Sequence, residues 1–314
     1  VARRRLAAPE AFASGCLKKG KHMGTILVLG GTGMFGTALA ECLRKTGTDY
    51  VLGVPTRQTL CEMQDQGHRA VLADFERPET LESALCGIEG LFLRTPLVPD
   101  IANWTVRAIT AARRAGVRFI VRASGCGVEA EGSCGMTRLH GALDAAVRES
   151  GIPCCLVRSA PLMQDYATHY APMIRDTGRI FLPMGMAATA LVDARDVAEG
   201  LCRILATPEG FLGRSFMFTG PYALDNVEIA VILSEIVGRR IAYVPVDDAT
   251  AEYAMVRAGM AHWTIDLQHG LNAAIRSGAA TQVTPDLAAI LERQPVDFRT
   301  FANAYRQAWE PAYA

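Results

Sequence analysis

The chain has 314 residues, half of them hydrophobic, enough to bury a large core as one domain or as a domain with a smaller lobe. Its 32 basic and 32 acidic side chains cancel, which argues against a broad nucleic-acid surface. No apolar run approaches the ~20 residues of a membrane span, and nine cysteines without Cys-x-x-Cys or His/Cys zinc spacing predict no metal site and a reducing, cytoplasmic setting.

Residues 1–22 carry Arg3, Arg4, Arg5, Lys18, Lys19 and Lys21 among small residues, with no apolar stretch of a secretory signal. They read as a disordered basic extension, an organellar presequence being the other reading. From Gly24 onward strands and helices alternate. An apolar run over 25–29 reads as a buried parallel strand. The turn Gly30-Gly31-Thr32-Gly33-Met34-Phe35-Gly36 follows it, and a helical pattern starts at Thr37. Strand, glycine turn and helix in that order form a dinucleotide-binding fingerprint. Glycine is needed there for a tight turn, for close approach of backbone to a pyrophosphate, and for helix-to-strand packing. The helix amino terminus then offers free N–H groups and partial positive charge to phosphate.

Further strands are predicted over 50–54, 70–73, 90–94, 119–123, 154–158 and 215–219. Helices are predicted over 80–85, 101–115, 138–149, 197–205 and 227–237. The pattern predicts an α/β fold, a doubly wound parallel (Rossmann) sheet in the order 3-2-1-4-5-6, with a smaller carboxyl-terminal substrate lobe. Residues 23–160 are the expected NADP-binding core. Residues 161–314 are the expected mixed region that completes the sheet and forms the lobe.

Chemistry is expected at the carboxyl ends of the strands. NAD-binding folds place an acid about 20 residues past the glycines, on the ribose hydroxyls. Here Val54-Pro55-Thr56-Arg57 stands in that place, and Arg57 suits a 2′-phosphate, so the expected cofactor is NADPH. A solvated surface arginine is the alternative. Asp74, before Phe75, suits an adenine amino group or a helix cap. Thr95-Pro96 lies where backbone passes the nicotinamide half, and Ser124 borders the reacting region. Met163, Gln164, Tyr166, Tyr170 and Met184 gather in a segment that reads either as lobe core or as substrate pocket. His262 and His269 lack metal partners at useful spacing, and Asp193 with Asp196 reads as a strand-to-helix cap.

The glycine motif, Arg57, Asp74-Phe75, Leu93-Arg94-Thr95-Pro96, Arg122-Ala123-Ser124, Arg138-Leu139-His140-Gly141 and Val192-Asp193-Ala194-Arg195-Asp196 together resemble the NmrA-like family of atypical short-chain dehydrogenases. That resemblance covers nearly everything from Met23 onward. It implies NADPH-dependent reductases of quinones and related small molecules, or redox-sensing regulators with little catalysis. The chain departs from the wider pattern at two points. No Tyr-x-x-x-Lys is present, and all four lysines lie at or before Lys45. His140 falls where the family's reductases carry a lysine, which makes it the candidate proton donor, with a pocket-wall scaffold as the alternative. Three functions follow: reduction of a small apolar electrophile (a quinone, enone or imine), an NADPH-bound sensor read by a partner protein, or a non-redox isomerase.

Overall fold

Continuous apolar runs become strands here because each is covered by helices on both faces. The computed structural model describes residues 24–126 and 135–310, apart from the Met34 side chain, so the expected extension over 1–22 lies outside the described residues. The first half runs β1 (Ile26–Leu29), α1 (Met34–Thr46), β2 (Tyr50–Val54), α2 (Arg57–Asp65), β3 (Ala70–Leu72) and α3 (Pro78–Leu85). It continues through β4 (Gly90–Leu93), α4 (Ile101–Ala115), β5 (Phe119–Gly125), α5 (Gly135–Glu149) and β6 (Cys154–Ser159). The second half holds α6 (Gln164–Ala167), α7 (Ala171–Thr177), β7 (Arg179–Leu182), α8 (Ala194–Ala206), β8 (Ser215–Phe218) and α9 (Asn226–Val237). Then come β9 (Ala242–Pro245), α10 (Asp248–Arg257), α11 (His262–Arg276), α12 (Asp286–Leu291) and α13 (Phe298–Ala304).

Seven parallel strands form one sheet in the order β3-β2-β1-β4-β5-β6-β8, the predicted order with β8 added at the far edge. The order reverses between β1 and β4, the switch point at which such sheets bind ligands. On one face Leu39 and Leu43 of α1 pack with Leu201 and Leu205 of α8 over Val28 and Phe92. On the other, Leu81 of α3 and Ala108 and Ala112 of α4 cover Leu27, Leu91 and Ile120. Each fully buried leucine stabilises the fold by about 1.5–3 kcal/mol.

A third cluster, around Met163, Tyr166, Ile174, Leu233, Phe298, Phe301 and Trp309, is the core of a lobe. Its own two-stranded parallel sheet pairs β7 with β9, with Ile180 opposite Tyr243. Neither strand is among those predicted from periodicity: both have four residues, and β9 buries none of its own fully. The buried Trp309 indole donates to the Tyr166 carbonyl at 2.7 Å and ties the end of the described chain to the start of the lobe.

Candidate functional site

The glycine turn serves three distinct demands. Gly30 has φ +85°, and a Cβ there would meet the Arg94 carbonyl oxygen at 2.2 Å, so the turn needs glycine both for conformation and for space. A Cβ on Gly36 would lie 2.3 Å from the Gly31 backbone, so α1 can approach the turn only without one. Gly33 differs. It is extended (φ −94°, ψ 175°), and a Cβ there would meet nothing within 4 Å. The first turn of α1 begins behind it with no side-chain cap, leaving the amides of Met34, Phe35 and Gly36 to face that open space. Open space in front of uncapped amides is what a pyrophosphate requires. Gly31 and Thr32 complete the turn. The Met34 side chain lies outside the described part, and the Phe35 ring is buried against Phe92 at 6.3 Å.

At the end of β2, Thr56 caps α2 by accepting from the Thr59 amide at 3.1 Å, which sets Arg57 as the first helical residue. Arg57 is exposed and has no ion-pair or hydrogen-bond partner among the described residues. Asp74 is already engaged: Oδ1 accepts from the Glu76 amide at 3.0 Å and Oδ2 from Arg77 Nε at 2.9 Å. Asp74 thus closes a local turn and pairs with Arg77, while the amino terminus of α3, at Arg77, has no side-chain cap. Phe75 is buried and stacks on Trp104 with ring centroids 5.5 Å apart, so its ring belongs to the core. Thr95 is tied inward too, its hydroxyl 2.8 Å from that of Thr105, while Pro96 is exposed.

Next to this, β5 and α5 build a polar centre. Ser124 is 7 % exposed, and its Oγ has no hydrogen-bond partner among the described residues. A buried hydroxyl left this way costs stability unless a bound group completes it. Asp144, fully buried on α5, accepts from Arg122 Nε at 2.9 Å and from Arg158 Nε at 3.2 Å. Both arginines come from buried strands, β5 and β6, whose register sets Ser124 beside Arg158. Arg122 Nη2 lies 3.4 Å from His140 Nδ1. The guanidinium is always a donor, so Nδ1 accepts and the imidazole proton sits on Nε2. That edge of the ring packs over Gly125, where a Cβ would meet Cδ2 at 2.9 Å and Nε2 at 3.1 Å. Burial first, and then the Arg122 charge, lower the His140 pKa to about 4, against the opposite pull of Asp144. At neutral pH the expected proton donor is therefore a neutral imidazole, its one proton on Nε2.

Arg94, just past β4, extends over the Phe35 ring, Cζ lying 5.7 Å from the ring centroid. It has no carboxylate or hydrogen-bond partner for its side chain among the described residues. Sequence reading quoted Arg94, Arg122 and Arg158 at most as parts of motifs and passed over Asp144. The usable signal was a charged residue inside an apolar strand buried on both faces, which demands a buried partner.

The lobe residues take their places as core. Met163, Tyr166 and Met184 are buried in its cluster. The Tyr166 hydroxyl donates to Asn226 at 2.6 Å, and the Asn226 amide reaches Met184 Sδ at 3.6 Å. Gln164 is fully buried, with Nε2 donating to Asp193 at 2.7 Å and Oε1 accepting from the Ala194 amide at 2.9 Å. These four side chains are buried in the lobe, as the core alternative expects. Tyr170 is half-buried, edge-on to Tyr166, and its hydroxyl has no partner among the described residues. Asp193 caps α8 through the Arg195 amide at 2.8 Å, and Asp196 accepts from Arg293 at 2.7 Å. His262 is exposed, and His269 lies 3.4 Å from Glu252. Among the described residues no helix is long and apolar enough to cross a membrane, and no His/Cys/Asp/Glu group is arranged to hold a metal.

Comparison with known proteins agrees with this geometry. The pattern of the NmrA-like family matches residues 22–263. An NAD(P)H azoreductase from Xenophilus azovorans is 31% identical over 287 residues, spanning 91% of this chain and 100% of that protein. A (4-alkanoyl-5-oxo-2,5-dihydrofuran-3-yl)methyl phosphate reductase from Streptomyces griseus is 30% identical over 293 residues, 91% of this chain and 99% of that one. Among solved structures, the triphenylmethane reductase of Citrobacter sp. complexed with NADP(H) superposes with a TM-score of 0.81 at 23% identity. The match covers 90% of this chain and 99% of that one, a likeness of fold.

Proposed function

The chain belongs to the NmrA-like family of NAD(P)-binding oxidoreductases, and we propose that it reduces a small, mainly apolar electrophile of quinone, enone, imine or azo type with NADPH. The observation that carries this reading is the uncapped amino terminus of α1 behind the open Gly33, with Arg57 unpartnered at the end of β2. The amides of α1 would hold the pyrophosphate, Arg57 the 2′-phosphate, and Ser124 Oγ a polar group of the nicotinamide half or of the substrate. When bound, NADPH supplies the hydride. His140 contributes a neutral Nε2–H donor, fixed by the Arg122 contact at Nδ1, that polarises an acceptor oxygen or nitrogen. A neutral imidazole is a poor acid, so the proton that completes reduction comes from water. NADPH oxidation measured across a panel of quinones, enones, imines and azo compounds tests the reading. Tight NADPH binding with no turnover on any of them would leave the sensor function instead.

Arg57→Ala is expected to weaken NADPH binding about 10- to 150-fold, the equivalent of a charge-assisted pair of ~1.5–3 kcal/mol, and to leave NADH nearly unchanged. Fluorescence titration with both cofactors measures it, and equal losses would remove the 2′-phosphate role.

His140 makes a separate prediction about pH. Its folded pKa of about 4 lies below the unfolded value near ~6.5, so the unfolded chain binds the proton first. Stability is full above pH ~6.5 and falls as pH drops toward 4, by about 3 kcal/mol from this group. His140→Gln should lose that component. Urea unfolding of both proteins at pH 7 and pH 4 reads it. An identical pH dependence in the two would mean the ring is not held neutral.

A further inference from the structure

Arg94, like Arg57, is a cation for which the described residues supply no counter-charge. Its backbone is fixed: the amide donates to Leu29 O at 3.1 Å, and the carbonyl packs where Gly30 has no side chain. Its guanidinium lies over Phe35, whose ring is buried against β4. Desolvation by the surrounding protein lowers its pKa, although the residue keeps solvent-exposed surface. Its charge adds, after burial and Arg122, to what lowers the His140 pKa. Leu93 pairs with Arg122 in the register of β4 and β5, so Arg94 stands one residue past β4 at the carboxyl edge of the sheet, level with Ala123. Among the described residues the Asp144 carboxylate is shared by Arg122 and Arg158 and is not in contact with Arg94. The cofactor phosphates already have the α1 amides and Arg57.

Resting on the reductase reading, we infer that Arg94 is a specificity residue that binds an anionic substituent, a carboxylate, sulfonate or phosphate, on the substrate. Such a group would form a charge-assisted pair with the guanidinium, while the apolar body of the substrate lies toward Phe35. The site then favours anionic acceptors over neutral ones of the same shape.

The test compares 1,4-naphthoquinone with 1,4-naphthoquinone-2-sulfonate in the wild type, Arg94→Gln and Arg94→Lys. Taking the ratio of kcat/KM values within each protein, and then between proteins, cancels the different reactivity of the two quinones. Arg94→Gln should lower kcat/KM for the sulfonate about 10- to 100-fold relative to the neutral quinone, and Arg94→Lys should recover part of it. NADPH affinity should stay the same in all three. An unchanged ratio together with weakened NADPH binding would overturn the proposal and make the cofactor phosphates the counter-ion of Arg94. Calorimetric titration of naphthalene-2-sulfonate into NADP⁺-loaded protein separates the two failures, since it needs no turnover. Binding that Arg94→Gln abolishes would uphold the anion site even if neither quinone is reduced, whereas binding that the variant retains would overturn it.

Discussion

Gly33→Val is expected to leave the fold intact and to weaken NADPH binding by at least about 100-fold, or ~2.7 kcal/mol. Gly33 is extended and a Cβ there meets no protein atom, so neither strain nor overlap opposes valine in the folded chain. The branched side chain instead fills the space before the α1 amides, where a pyrophosphate must come within hydrogen-bond distance. Circular dichroism with thermal melting checks the fold, and fluorescence titration checks the binding. A folded variant that binds NADPH normally would reduce the glycine turn to a turn. Gly36 stands in contrast, because a Cβ there meets the Gly31 backbone and the damage falls on packing.

Asp144→Asn is expected to destabilise the protein by about 3–5 kcal/mol, the usual effect of removing one partner of a buried ion pair. Asp144 is fully buried between Arg122 and Arg158, and asparagine leaves both guanidinium groups without their carboxylate. Burial already lowers the Arg122 pKa even with Asp144 in contact, so the centre has little tolerance for a further loss. Urea denaturation of the wild type and variant at pH 7 reads the change. A difference below about 1 kcal/mol would mean that water or chain movement relieves the two arginines.

The strands were legible because each strand of the main sheet is a short apolar run, and observed bounds fall within a residue or two of those expected, as at 70–73 against Ala70–Leu72. Helix starts were less so. α3 begins at Pro78, two residues before the periodic apolar positions, because proline fits the first helical turn without itself being part of the pattern. α2 escaped notice since it buries only Met63, too little for periodicity to register. The glycine turn and Arg57 were readable because each is a local signal at a strand end. The Arg122–Asp144–Arg158 centre was legible only in part: an arginine inside an apolar strand demands a buried partner, but that the partner is an acid 22 residues on depends on the fold. For His140 the letter gave the residue type, but its proton state depends on burial and on an arginine from another element.

Trp309 sets the order in which the molecule can assemble. Its indole bond to the Tyr166 carbonyl joins residues 143 apart, and the Arg239 guanidinium also holds the Trp309 carbonyl. Six of the seven strands of the main sheet precede residue 160, so most of that sheet is available early in synthesis. The lobe is a long-range assembly whose loop-closure entropy is offset only when the last turn arrives. A nascent chain therefore exposes most of the main sheet before the lobe core around Tyr166 and Trp309 can close.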